Sequence, residues 1–544
     1  MGVDPPKWWL DKNPDSEMRN YDGQPTTRIS NDLVRTVQRF VAVSSEKYQK
    51  DAADALRMTI KHLESKYGKY IAGYHPAGQY TGEWGYPGCF SDIPNGYDKC
   101  TVKLFRKWLT EKYKNDAALQ KAWNRTNASL KAAQVPTYEE RINQPLVIDP
   151  SKYQNLIDYH FFMQDKMAET VLNFAKVIKE ATASNPKLSV AFYGYGLEHA
   201  GTCFLSPAMT GHCATRKVLN SPYIDVLSSP VWYTDRGLGG VRTPQSPAES
   251  VTLAKKLWCD EDDNRTYLIW KSGSVLLATD KNQKTLEDSV NLMRRNMAEQ
   301  TLRNNTSWWM DLFGAGWYSD ANLWKVMDDF KEVELDFIKN PRLYTPPVAC
   351  VYDEKSLCHG GAQKRWFYLM VHNVRRHVLR TGVPTGQYLL EDVLDKKAKA
   401  KLNIYLACFA LDKTEREKIK ETAKNSASIF TWGMGMVDLD NRKISFETIK
   451  DATGFEVEKL PNDIIPIVYP TEIAKKAGIP QFGKQFKQNL MYIMSPKVKE
   501  GDVVLGTYSN GKPAVVMRKT GKYKIDVGTN KPIIDIYQKK VIGA

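Results

Sequence analysis

Metal-ligand spacing is the first thing this sequence lacks. Its eight cysteines, Cys89, Cys100, Cys203, Cys213, Cys259, Cys350, Cys358 and Cys408, are scattered over 544 residues. None forms a C-x-x-C pair, which argues against a structural zinc site, and a disulfide framework would be unusual in a chain this size. Cys89 with Cys100 and Cys203 with Cys213 are the two pairs close enough to bridge or share a metal. No apolar run approaches 18 residues, so no transmembrane helix is expected. "MGVDPPKWWLDKNPD" has neither the basic n-region nor the apolar h-region of a signal peptide. The Met-Gly start is a weak myristoylation signal, because proline and charge follow it. A cytoplasmic location is favoured. The net charge is +15, but the bases are mixed with acids, as in "DKTEREKIKETAK", and there is neither an RNA-binding signature nor a basic tail. These stretches read as solvated helix faces, with no nucleic-acid and no membrane partner. No tandem repeat is present.

Aromatics and a strand–helix rhythm are present instead. Fourteen tryptophans supply core or flat platforms for the C–H faces of sugars. Residues 1–30 read as loop. Helical spacing takes over from Asn31 to about Tyr67 and stops at Gly68. "YIAGYH" is a short buried strand, followed by the helices "KCTVKLFRKWLTEKY" and "DAALQKAWNRT" and a long one from about Tyr153 to Thr182. The strands "LSVAFYGYG", "IDVLSSPVWY", "LWCDED" and "SWWMDLFG" follow, the last two separated by "TLEDSVNLMRRNMAEQTLRN". This is the βα rhythm of a parallel sheet or barrel, with function expected at the carboxyl ends of the strands. Five strands fall between Ile71 and about Asp311, where a closed barrel needs eight. Beyond "NPRLYTPP", residues 345–455 carry a second, doubly wound α/β pattern. Residues 460–544 read as a small β-domain with glycine turns.

Two carboxylates sit near strand ends. Glu83 stands in "YTGEWGYPG" among glycines and aromatics, and Glu261 in "LWCDEDDNRT". A retaining glycosidase needs two such groups about 5–5.5 Å apart, one kept neutral to protonate the leaving oxygen and one ionised to attack the anomeric carbon. The apolar setting of Glu83 suits the acid/base. Arg265 could keep Glu261 anionic, while Asp260, Asp262 and Asp263 oppose this unless they point elsewhere. Against this, a glycine-flanked glutamate can be an ordinary loop residue, and "DEDD" a solvated acidic turn or a cation site.

In this order, "DPPKWWLDKNPDSEM", "IAGYHPAGQYTGEWGYPG", "FRKWLTEKYKNDAALQKAW" and "SWWMDLFGAGWYSD" resemble glycoside hydrolase family 42, the β-galactosidases. The resemblance implies a (β/α)8 TIM barrel with the acid/base after strand 4 and the nucleophile at strand 7, positions taken here by Glu83 and Glu261. Residues 1–340 would then be an incomplete barrel of strands 4–8, because "PPKWWL" follows strand 3 in the family, and any signal peptide would lie in the missing part. The second domain resembles the family's amidotransferase-like trimerisation domain, which implies a homotrimer. The implied reaction is double displacement on terminal β-galactosides without a cofactor or metal. Gly82 stands where the family has an asparagine that contacts the sugar, and "CDEDDNRT" departs from the usual nucleophile context. Another β-glycosidase specificity such as β-mannosidase, or a non-catalytic carbohydrate-binding protein, are the other readings.

Trp84, His75, Tyr195, Trp232, Trp308, Asp311 and Trp317, with Tyr233 and Trp309, lie at or just after strand ends. They are candidate contacts to a carbohydrate substrate, although any one aromatic can equally be core. Asp311 can bond sugar hydroxyls or cap its own loop. Glu198 and His199 are reserve candidates should Glu261 fail, and His212 is a core histidine or a sugar contact. Amidotransferase chemistry in the second domain is not expected, since Cys408 and Cys358 lack a glycine-flanked nucleophile turn.

Overall fold

The computed structural model describes residues 1–29, 36–91, 93–203, 205–269, 283–311, 314–362, 364–461, 463–483 and 492–519. Part of the expected β-domain, residues 520–544, lies outside these. At its centre is a five-stranded sheet: β1 (Gly73–Tyr74), β2 (Leu188–Phe192), β3 (Val226–Pro230), β4 (Leu257–Asp262) and β5 (Thr306–Trp309). The strands pair in chain order and every pairing is parallel. They are the five strands expected from the sequence, and their order is that of one continuous arc of a parallel barrel. On the outer side of β1, Val3 N–H donates to Ala77 O at 2.9 Å and Ala77 N–H to Met1 O at 2.8 Å.

The covering helices begin where capping chemistry permits. Helix α1 (Glu46–Tyr67) starts at Ser45, whose side chain accepts from Tyr48 N–H. Helix α2 (Lys99–Tyr113) starts at Asp98, bonded to Thr101 N–H, and α3 (Pro150–Ala181) has Asp149 as its cap and a proline at its first turn. Phe105 of α2 meets Tyr159 and Phe162 of α3 at ring centroid distances of 5.2 and 5.3 Å. Helix α4 (Gly196–Thr202) follows β2 directly, and α5 (Leu286–Leu302) and α6 (Ala321–Lys339) flank β5.

Two expectations near the start need correction. Residues 1–30 are not all loop, since Lys7–Lys12 form a helix and Thr27–Ile29 pair antiparallel with Val37–Arg39. The helix expected from Asn31 begins only at Glu46. The stretch before it, "VQRFVAVSS", is rich in β-branched residues and serines that favour strand and cap over helix interior.

A second parallel sheet has the order β9 (Ala427–Phe430), β8 (Leu402–Tyr405), β6 (Val348–Tyr352), β7 (Thr385–Leu389). It is fixed to the first unit through buried polar contacts. Glu249 accepts from Arg303 and from Gln387 N–H, Arg303 also donates to Thr385 O at 3.1 Å, and Arg216 pairs with Asp392 at 2.6 Å. Four short strands between Ile467 and Met517 form an antiparallel sheet after it. All eight cysteines are free thiols, buried except for the half-buried Cys100 and Cys259. Among the described residues no helix is long and apolar enough to cross a membrane, and no group of three or more metal-ligating side chains is found.

Candidate active site

Glu83 is carried by a loop held out of ordinary backbone geometry. Gln79, Thr81, Gly82 and Trp84 have φ of +64°, +57°, +83° and +62°. A left-handed non-glycine residue costs on the order of 1 kcal/mol, and three in six residues persist only where other bonds over-determine them. Here Trp84 N–H donates to Gly78 O, Glu83 N–H to Tyr80 O and Tyr80 N–H to Gly85 O, at 2.9, 3.0 and 3.1 Å. The Trp84 ring is fully buried and stacks on Phe174 at 5.6 Å. This corrects the reading of Trp84 as a sugar contact, because it is the anchor of the loop.

The loop presents a half-buried carboxylate. Oε1 of Glu83 accepts from the Tyr195 hydroxyl at 3.3 Å, and Oε2 accepts from the Thr81 hydroxyl. Burial pushes the Glu83 carboxyl upward, the two hydroxyl bonds oppose this, and the charge of Asp263 adds to the rise. Tyr195 is placed by His212, whose Nδ1 accepts from Tyr195 N–H at 3.3 Å. His212 is fully buried between Tyr193 and Tyr195, with ring centroids at 4.9 and 4.7 Å. Burial holds it neutral, its pKa pushed down to about 3. The same ring lies against the backbone of Glu83 and Trp84, although its Nε2 makes no hydrogen bond of good geometry.

Glu261 is the fifth residue of β4 and 6% exposed. Its carboxyl is pushed up to about 9, first by burial and then by the charges of Glu83, Asp263 and Asp260. The structure thus brings Glu83 and Glu261 into one electrostatic neighbourhood. The surrounding acids do point elsewhere. Asp260 pairs with Arg242, Asp262 accepts from Asn296 Nδ2 at 2.9 Å, and Asp263 pairs with Arg236 and, at 3.1 Å, with Arg265. Arg265 therefore serves Asp263 and does not hold Glu261 anionic, contrary to the expectation from spacing. Arg236 is the cation that opposes the rise at Glu261.

The aromatic candidates divide. Trp308 is the register partner of Glu261 on β5 and is 38% exposed, so it stays a candidate sugar contact. Tyr195 is buried but reaches Glu83 through its hydroxyl. Trp317 is buried under the Arg265 guanidinium at 4.8 Å, and Trp232 is buried against His372 at 4.0 Å; both are core, since each already stacks on a cation or ring. Asp311 accepts from the backbone N–H groups of Ala315, Gly316 and Trp317 at 2.9, 2.7 and 3.1 Å, and so caps its own loop. His75 packs on Phe192 at 4.2 Å and is kept neutral by burial, down to about 4. Glu198 and His199 lie on α4, and burial pushes the Glu198 carboxyl up to about 8. Thr81, Arg236 and Asp263 were not singled out by sequence reasoning as site residues. Thr81, two residues before Glu83, and Asp263, two after Glu261, carried a local signal; Arg236 did not.

Fold and site together define a class: α/β chains with a parallel barrel-like sheet that collects carboxylates at the carboxyl ends of its strands. Within that class the resemblance read from the sequence is borne out, for residues 3–199 match the family model Glyco_hydro_42, described as beta-galactosidase. Beta-galactosidase BgaH of Haloferax lucentense is 25% identical over 178 residues, 32% of this chain and 24% of the relative's own length. The chain thus aligns with about a quarter of that protein. Among solved structures, a beta-galactosidase from the psychrophilic Marinomonas ef1 superposes with TM-score 0.58 at 13% identity, covering 96% of this chain and 77% of that one. One from Rahnella sp. R3 superposes with TM-score 0.58 at 14% identity, covering 95% and 73%. At such identities the structures show a shared fold.

Proposed function

We propose that this chain is a retaining glycoside hydrolase acting on terminal β-galactosides by double displacement, with Glu83 as general acid/base and Glu261 as nucleophile. The observation that carries this is that the half-buried carboxyl of Glu83, on the loop after β1, and the buried carboxyl of Glu261, near the end of β4, share one electrostatic neighbourhood, with the Tyr195 hydroxyl on Glu83 and Trp308 in register with Glu261. Burial pushes both carboxyls upward, and the charge of Glu83 adds to the rise at Glu261. The two hydroxyl donors on Glu83 favour its anion, while burial favours the neutral form of Glu261. Double displacement requires that, with substrate bound, Glu83 carry the proton and Glu261 be ionised. Glu261 then attacks the anomeric carbon as Glu83 protonates the leaving oxygen, and water later releases the sugar with Glu83 as base. The chemistry asks for no metal or cofactor. The proposed assembly is a homotrimer built through the second unit, to be read by sedimentation velocity.

A panel of p-nitrophenyl β-glycosides tests this. Hydrolysis is expected, abolished by Glu83→Ala and by Glu261→Ala, with the product released first as the β-anomer by NMR. An α-anomer would sink the retaining mechanism. Gly82 before the acid/base favours a second specificity on the same scaffold, so the preferred glycoside is read from the panel. The upward push on the Glu261 carboxyl, which disfavours a nucleophilic carboxylate, favours a binding-only reading, which would show sugar bound and no turnover by any variant.

A further inference from the structure

We propose that the groove between α2 and residues 130–134 is a binding site for an anionic polysaccharide, a sugar chain carrying sulfate or carboxylate groups. The groove encloses about 730 Å³ and is lined by five cations, Lys99, Lys103, Arg106, Lys107 and Lys131, with no carboxylate in its lining. Between the cations its lining includes the apolar side chains of Val102 and Leu130 and the ring of Tyr97. The cations are held in place differently. Arg106 Nε donates to Ala133 O at 2.8 Å, which ties the helix to the facing segment. Lys99 and Lys103 reach out to Asp15 and Glu46 at 3.0 and 2.8 Å in exposed pairs. Such pairs contribute little and give way to a better anion. Lys107 and Lys131 complete the row, and the charge of Lys107 is felt at the half-buried Lys166.

Length and lining choose the occupant. From Lys99 to Thr110 the helix runs about 16 Å, which suits an oligosaccharide better than a single phosphate or sulfate ion. The positive charges repeat along one helix face, where a polyanion would meet them in turn. Apolar patches between them suit the C–H faces of sugar rings. Single-stranded nucleic acid is bound on several aromatic platforms, and the lining holds one aromatic ring, that of Tyr97. The choice of a sugar polymer rests on the glycosidase reading; the anion site itself does not.

The test is binding to the full chain, by fluorescence anisotropy, of four labelled oligomers: a sulfated galacto-oligosaccharide, its unsulfated counterpart, an oligouronate and a single-stranded DNA of equal charge. The expected result is binding of one or both anionic sugars and none of the neutral one. Affinity should fall on the order of tenfold between low and physiological salt. The Lys107→Glu/Lys131→Glu variant should lose the binding while p-nitrophenyl glycoside hydrolysis stays unchanged. The milder Lys103→Ala/Lys107→Ala variant, with an unchanged melting curve, should weaken it. Sulfate against carboxylate is decided by which arm binds more tightly. Equal binding of the neutral sugar, indifference to both variants, or tighter binding of DNA would overturn the proposal. Binding by a chain that hydrolyses no glycoside would uphold the groove and remove the glycosidase reading alone.

Discussion

Glu261 shows how one residue sets a pH dependence for the whole fold. Its folded pKa, about 9, lies above the ordinary carboxylate value. The native state therefore holds a proton that the unfolded chain has released. Stability from this group is fully present below the ordinary carboxylate pKa and is lost as pH rises from there towards 9. Glu261→Gln keeps the shape without the titration. Its urea midpoint at pH 8 should exceed that of the parent by at least about 1 kcal/mol in unfolding free energy, and the two should converge at pH 4. A second residue, His212, positions Tyr195 and the Glu83 loop from behind. His212→Phe preserves the stack between Tyr193 and Tyr195 but loses the acceptor for Tyr195 N–H. On the proposed function, it should lower kcat by about tenfold or more with little change in KM. An effect confined to KM would mean that the ring serves binding instead.

At the scale of the element, the loop 78–85 is where the sequence was most informative and most misleading. Glycines on both sides of Glu83 advertised unusual backbone, and Gly82 does sit at φ +83°. The left-handed residues at Gln79, Thr81 and Trp84 had no such signal, because tertiary contacts rather than local propensity place them there. The same is true of Trp84, whose burial depends on Phe174 from a helix ninety residues away. The strands β2 to β5 were legible because each is a short run opening on apolar, β-branched or aromatic residues between helical segments, and β3 is covered on both faces. The ion pairs that turn Asp260, Asp262 and Asp263 aside were not legible, since their partners Arg242, Asn296 and Arg236 are remote in sequence. The loop geometry makes a sharp prediction. A Cβ at Gly82 would meet Ala77 Cβ at 3.4 Å, ordinary contact, so the cost of a side chain there is conformational. Gly82→Ala should lower stability by about 1 kcal/mol. Gly82→Asn should cost only a few tenths, since asparagine visits this region readily. Equal melting temperatures for the two variants would contradict the strained geometry.

At the scale of the molecule, the two α/β units are joined by charges taken out of water. The Arg303 and Glu249 side chains are 6% and 7% exposed, and Glu249 also accepts from Gln387 N–H in the middle of β7 in the second sheet. Removing one member of such a pair leaves the other buried and unpaired, at about 3–5 kcal/mol. Arg303→Ala should therefore split the single calorimetric transition expected of the parent into two, or lower its midpoint strongly. An unchanged single transition would mean that the units cohere by apolar packing alone.

The eight free thiols give the folded chain a chemical property of its own. Reactivity towards alkylating reagents belongs to the thiolate, and burial pushes Cys89, Cys213, Cys358 and Cys408 well away from ionisation. In the native molecule these four thiols are close to silent towards maleimide, while the half-buried Cys100 and Cys259 are more open to it and the opened molecule offers all eight. Each thiol is thus a clock for the local opening of its surroundings. Cys89 and Cys213 time the barrel-like unit, and Cys358 and Cys408 time the second sheet. Peptide mass after a short pulse of reagent reads the clocks separately.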